Sequence, residues 1–147
     1  MKRIKFKHET KKGQIVYRID LNIFSNDNNY RPDGIYKEGL FIKELKIVHQ
    51  TNYKIVLNDD FVTLLDRKKE TDKSESYKHF LDDISVNFKT KETYFPNGIF
   101  CYCYTIDNPD KIIKTIKHKI INKINKEYGF VRNMDIERKI YDMEITN

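Results

Sequence analysis

Six lysines fall between residues 109 and 128 of this chain, and four of them, Lys111, Lys114, Lys119 and Lys126, share one face of a helix with His118. Thr115, Asn122 and Asn125 lie between them, and no acid interrupts the face. A second cationic group, Lys2, Arg3, Lys5, Lys7, Lys11 and Lys12, stands near the N-terminus. Ammonium and guanidinium groups in such arrays hold phosphate oxygens without reading a base sequence. The charge is localised: residues 1 to 18 carry seven Lys/Arg against Glu9, and residues 109 to 128 carry six Lys against Asp110 and Glu127. The rest of the chain is slightly acidic, although the whole carries +6. If the two basic segments meet in space they make a patch suited to RNA, DNA or a nucleoprotein complex.

Aromatic residues supply a second chemistry. Phe100, Tyr102 and Tyr104 alternate with Ile99, Cys101, Cys103 and Thr105, so on a strand they form one row that could stack bases. The run Gly98-x-Phe100-x-Tyr102 is similar to the ribonucleoprotein motif of RNA-recognition domains, with Asn97 where that motif has a basic residue. The order of elements differs from the βαββαβ of that family. A strand of this kind buried on both faces is the alternative.

Pro32-Asp33 followed by Glu44-x-Lys46 resembles the PD-(D/E)xK signature of metal-dependent nucleases over about fifteen residues. The resemblance implies that Asp33 and Glu44 hold Mg²⁺ while Lys46 positions or activates water. On a strand Glu44 and Lys46 share a face, with Leu45 and Ile47 behind them in the core. The structural reading of the same residues is a turn at Asp33-Gly34 and a surface ion pair. Outside the nuclease reading, no cofactor and no metal are expected. Cys101 and Cys103 are too few for structural zinc and read as buried thiols on one face, too far apart for an easy disulfide. His8, His49, His79 and His118 have no ligand-like spacing, and Asp59-Asp60 and Asp82-Asp83 fall where turns are expected. There is no Gly-rich phosphate loop or nucleophile elbow.

The elements that must position these residues follow from period and punctuation. Asn108 as N-cap, Pro109 in the first turn, Asp110 at the positive end of the dipole and Gly129 as a left-handed stop bound a long helix. Its apolar face is Ile112, Ile113, Ile116, Ile120, Ile121, Ile124 and Tyr128. Ile4 and Phe6 predict the first strand of a hairpin that turns at Lys11 to Gly13. Its return strand faces the core with Ile15, Tyr17, Ile19, Leu21 and Ile23, and residues 25 to 34 form a polar loop. Strands over 40–49, 53–57 and 61–65 predict an antiparallel meander, and residues 66–78 a mobile surface loop. Further strands are predicted around Ile84 to Phe88 and over 99–106, with a short second helix over 134–143.

These patterns predict an α+β fold in which one long C-terminal helix packs on an antiparallel sheet of about six strands, with a short terminal helix beside it. The length predicts one domain over residues 1–147. No apolar run approaches the ~18 residues of a membrane span and no signal peptide is visible, which points to a cytoplasmic protein without a membrane partner. The expected function is a non-enzymatic protein that binds nucleic acid or a nucleoprotein complex. It could be encoded by a phage or mobile element and inhibit a host complex. The alternatives are the metal-dependent nuclease and a structural or oligomeric interaction protein; oligomeric state is open.

Overall fold

The structure, a computed structural model, describes residues 3–22, 39–59, 62–73, 78–88, 96–128 and 134–146. It is α+β, with an antiparallel sheet and two helices. The elements run β1 (Ile15–Asn22), β2 (Gly39–Gln50), β3 (Lys54–Leu57), β4 (Thr63–Asp66), β5 (Ser85–Phe88), β6 (Pro96–Cys103), α1 (Pro109–Tyr128) and α2 (Met134–Asp142). Hydrogen-bonded strands follow the order β4-β3-β2-β1-β6-β5. Contacts gather into two units, each assembled from separate stretches of chain. The first comprises residues 1–19, 43–83 and 101–107, and the second residues 20–42, 84–100 and 108–147.

In the first unit the meander forms because alternation places Leu45, Ile47, Ile55, Leu57 and Leu65 on one buried face. Ile47 stands opposite Leu57, Ile55 opposite Leu65 and Val56 opposite Leu64. The register shifts between Ile47 and His49. The outer face carries the ion pair of Lys54 with Asp66, which holds the Asp66 carboxyl below its ordinary range.

The N-terminal hairpin is not formed as predicted. The turn is present: Gly13 takes a φ of 91°, and Gln14 N–H donates to the Lys11 carbonyl at 3.1 Å. The segment before it crosses instead to residues 68–70. Lys7 N–H donates to the Lys68 carbonyl at 2.9 Å and Glu70 N–H to the Lys5 carbonyl at 2.8 Å. Side chains select this pairing, because the Arg67 guanidinium lies 3.7 Å from the centroid of the Phe6 ring. Residues 67–72, expected in the mobile loop, are therefore tied by backbone bonds; residues 74–77 lie outside the described residues. The core face of β1 also departs from strict alternation. Val16, Ile19 and Leu21 are buried, while Ile15, expected inside, is 42% exposed. Ile23 lies outside the described residues.

In the second unit α1 begins where predicted. Asn108 Oδ1 accepts the Lys111 N–H at 3.4 Å and its carbonyl accepts the Ile112 N–H at 3.2 Å. Asn108 does this at a φ of 99°, a conformation that asparagine tolerates better than most residues. Ile112, Ile113, Ile116, Ile120 and Ile121 are buried, each worth roughly 1.5–3 kcal/mol. The predicted stop, Gly129, lies outside the described residues. α1 touches α2, and the chain after α2 returns to β2: Thr146 N–H donates to the Leu40 carbonyl at 2.7 Å. Gly39 permits that approach, since a Cβ there would stand 2.9 Å from both the Phe41 ring and Thr146 Oγ1.

The cap and the backbone at Asn108 are separable. Asn108→Ala loses both the side-chain acceptor and the tolerance of positive φ, so it should destabilise by about 2 kcal/mol in urea unfolding. Asn108→Gly should cost a few tenths of a kcal/mol, because glycine keeps the conformation. Equal losses would show that the backbone at residue 108 contributes nothing.

Candidate functional site

The helix lysines divide by what they touch. Lys117 and Lys123 flank the buried isoleucines and reach back to the backbone. Lys117 Nζ donates to the carbonyls of Tyr141, at 2.9 Å, and Met143, completing the C-terminal end of α2, and burial lowers its pKa. Lys123 Nζ donates to the Ile84 carbonyl at 3.0 Å, just before β5. Lys111, Lys114, His118 and Lys126 instead stand exposed on the opposite face, Lys119 is half-buried there with a partner of its own, and Asn122 lies between them. At about 1.5 Å per residue, Lys111 and Lys126 lie roughly 22 Å apart along the axis.

The N-terminal cations belong to the other unit. Arg3, Lys5, Lys11 and Lys12 are exposed, Lys7 is half-buried with a partner, and Lys2 lies outside the described residues. Pairing of residues 5–7 with 68–70 sets Lys7 opposite Lys68, Phe6 opposite Lys69 and Lys5 opposite Glu70, a largely basic strand pair with one acid that no local pattern announces.

Glu44 and Lys46 both stand exposed on β2, with Leu45 and Ile47 buried behind them. The backbone at Lys46 is occupied by Asn58, whose Oδ1 accepts the Lys46 N–H at 2.6 Å. Asp33 lies outside the described residues. Among the described residues, no three His, Cys, Asp or Glu side chains gather as they would around a metal ion. None of the described helices is long and apolar enough to cross a membrane.

The aromatic row is not an open platform, and this corrects the stacking role of Tyr102. Tyr102 is 3% exposed, and Cys101 and Cys103 behind it are also buried, their Sγ atoms 4.0 Å apart. Tyr104 is half-buried with its ring centroid 4.4 Å from that of His8, and Phe100 is half-buried with a partner. The Tyr102 hydroxyl instead donates to Asp59 Oδ2 at 3.1 Å. Arg18 Nη1 lies 2.8 Å from the same oxygen and Lys43 Nζ 3.4 Å from Oδ1. Asp59, in the bend after β3 where a turn is expected, is also a buried carboxylate among two cations and a phenol. Burial raises the Tyr102 pKa, opposed by the Thr63 hydroxyl and the Arg18 charge and reinforced by Asp59.

A second, half-buried group joins His8, His79, Tyr104 and Asp82. Leu81 N–H donates to the Tyr102 carbonyl at 2.8 Å, Tyr104 N–H to the His79 carbonyl at 3.2 Å, and Tyr102 N–H to Asp82 Oδ1 at 3.1 Å. Burial pushes the Asp82 carboxyl up to about 7; the Tyr102 N–H and Lys68 oppose this and Asp83 adds to it. Burial also lowers the His8 pKa, against a hydrogen bond to the Phe80 backbone and with help from Lys7 and His79. His8 Nε2, His79 Nδ1 and Asp83 Oδ1 are buried with no hydrogen-bond partner among the described residues. Residues 71 apart in sequence meet here, and nothing in their spacing signals it.

The described residues form a basic α+β fold, with exposed cations on the paired residues 5–7 and 68–70 in one unit and on α1 in the other. Comparison with known protein families, with curated proteins and with solved structures gives no match.

Because the folded chain holds a proton on Asp82 that the unfolded chain releases, this group's stabilisation is present below about pH 4 and is lost as pH rises toward 7. His8 acts oppositely, its contribution being lost as pH falls below its ordinary 6.5. Asp82→Asn keeps an acceptor for the Tyr102 N–H without the titration. At pH 8 it should be more stable than wild type by roughly 2–4 kcal/mol, and near pH 4 the two should converge. Urea midpoints at the two pH values measure this, and a pH-independent difference would contradict it.

Proposed function

We propose that this chain is a non-enzymatic binding protein that holds the sugar-phosphate backbone of RNA or DNA, free or within a nucleoprotein complex, on the solvent face of α1. The observation that carries the reading is the division of the helix lysines. Lys117 and Lys123 are committed to backbone carbonyls, whereas Lys111, Lys114 and Lys126 project into solvent along one face with no acid among them. Phosphate contacts of this kind give affinity without base specificity and release counterions, so binding weakens steeply with salt. On the other unit Lys5, Lys7, Lys68 and Lys69, with Glu70 opposite Lys5, add a smaller basic surface.

Fluorescence polarisation with single- and double-stranded RNA and DNA across a salt series tests this. The triple variant Lys111→Gln, Lys114→Gln, Lys126→Gln should lose most binding at low salt. Its log affinity against log salt should flatten by about 2–3 relative to wild type, since each phosphate contact on duplex DNA contributes about 0.9. A charge-matched control, Lys46→Gln, Lys54→Gln, Lys73→Gln, should bind nearly as wild type. Absence of binding at low salt, or equal loss in the control, would overturn the proposal.

A further inference from the structure

A pocket of about 430 Å³ opens in the first unit, lined by Arg3, Ile4, Phe6, Glu9, Thr10, Gln50, Asn52 and Arg67. Its volume falls within the roughly 300–1,000 Å³ of small-molecule sites. Arg67 is fixed in it from two sides. One guanidinium nitrogen, Nη1, donates to the Thr51 carbonyl at 3.0 Å, and the guanidinium carbon stands 3.7 Å from the Phe6 ring centroid. That leaves further guanidinium N–H groups to satisfy, and Nε is buried with no partner among the described residues. Two other lining residues are bonded to each other. Thr10 Oγ1 donates to Gln50 Oε1 at 2.6 Å, and Gln50 Nε2 returns a bond to the Thr10 carbonyl at 2.7 Å. Gln50 is thus spent on structure. Arg3 and Asn52, both exposed, complete the donors of the lining, and Glu9 is its one acid.

We propose that this pocket binds a phosphate monoester carried on a small organic group, with the phosphate between Arg3 and Arg67. A planar guanidinium held in place by a carbonyl and a ring presents a fork that matches phosphate oxygens and loses little freedom on binding. The space exceeds what a bare phosphate occupies, leaving room for the esterified group beside Ile4 and Asn52. Glu9 opposes the ligand by charge, so the site discriminates through competition between one carboxylate and the incoming anion. The site lies wholly within the first unit and is independent of the α1 proposal.

Isothermal titration calorimetry of the full chain with AMP, inorganic phosphate and adenosine tests it at low ionic strength. AMP should bind more tightly than phosphate, and adenosine should not bind. Arg3→Gln should weaken AMP about 2–5-fold and Glu9→Gln should tighten it by a similar factor, since an exposed charge is worth up to about 1 kcal/mol. Both side chains are exposed, so both variants should fold. The α1 triple variant should bind AMP as wild type does. Silence with AMP up to about 10 mM, an affinity far below ordinary ligand sites, would overturn the proposal. So would an affinity that follows the α1 lysines and ignores Arg3 and Glu9.

Discussion

Asp59 follows β3 with only 2% of its side chain exposed, and three strands of the first unit converge on its carboxylate. Arg18 comes from β1, Lys43 from β2 and Tyr102 from β6. Removing a carboxylate from water costs several kcal/mol, and only close donors offset it. Arg18 and Lys43 keep part of their side chains in water, so the net attraction is smaller than a fully buried pair would give. What the arrangement fixes most firmly is register. A one-residue slip of β1 would turn Arg18 to the other face and leave Asp59 without its closest cation. The broken alternation between Val16 and Ile19 lies at the turn of strand where Arg18 meets that demand.

The same carboxylate settles what the aromatic strand can do. With its hydroxyl on Asp59, its N–H on Asp82 and its carbonyl on Leu81, Tyr102 is bound on three sides. Tyr104 is occupied by His8. A stacking surface needs exposed ring faces, and here Tyr102 is committed to the interior of the first unit while Tyr104 is half-buried against His8. The exposed cations lie elsewhere, on the paired residues 5–7 and 68–70 and on α1.

Legibility in the sequence followed the range of the interactions. α1 was readable because its start signals, Asn108, Pro109 and Asp110, and its isoleucine period are all local. The meander was readable because period two and short turns are local as well. The N-terminal hairpin was misread because Ile4 and Phe6 show a strand's alternation, yet their partner is chosen by Arg67 stacking on Phe6 from more than sixty positions away. Asp59 does lie in the connection between β3 and β4, as its composition predicts, but its burial was not legible, because its partners Arg18 and Tyr102 are 41 and 43 residues distant. The exposure of Glu44 and Lys46 over Leu45 and Ile47 was legible, but the rest of that constellation, Asp33, falls outside the described residues.

Helix stability accounts for some of the α1 lysines and leaves others without a structural reason. Lys126, in the last turn, is favoured by the dipole, and Lys117 and Lys123 complete carbonyls at α2 and before β5. Lys111 and Lys114 stand in the first turns, where the dipole disfavours a cation by roughly 0.3–1 kcal/mol. Asp110 is the acid of the first turn that relieves that repulsion. The two cations and the positive end of α1 therefore add to a single field directed at solvent, unfavourable to the isolated helix and favourable to any anion placed against it. A phosphate placed there would convert the repulsion into attraction, so under the proposed reading the N-terminal half of α1 is where a bound anion would offset the most helix destabilisation.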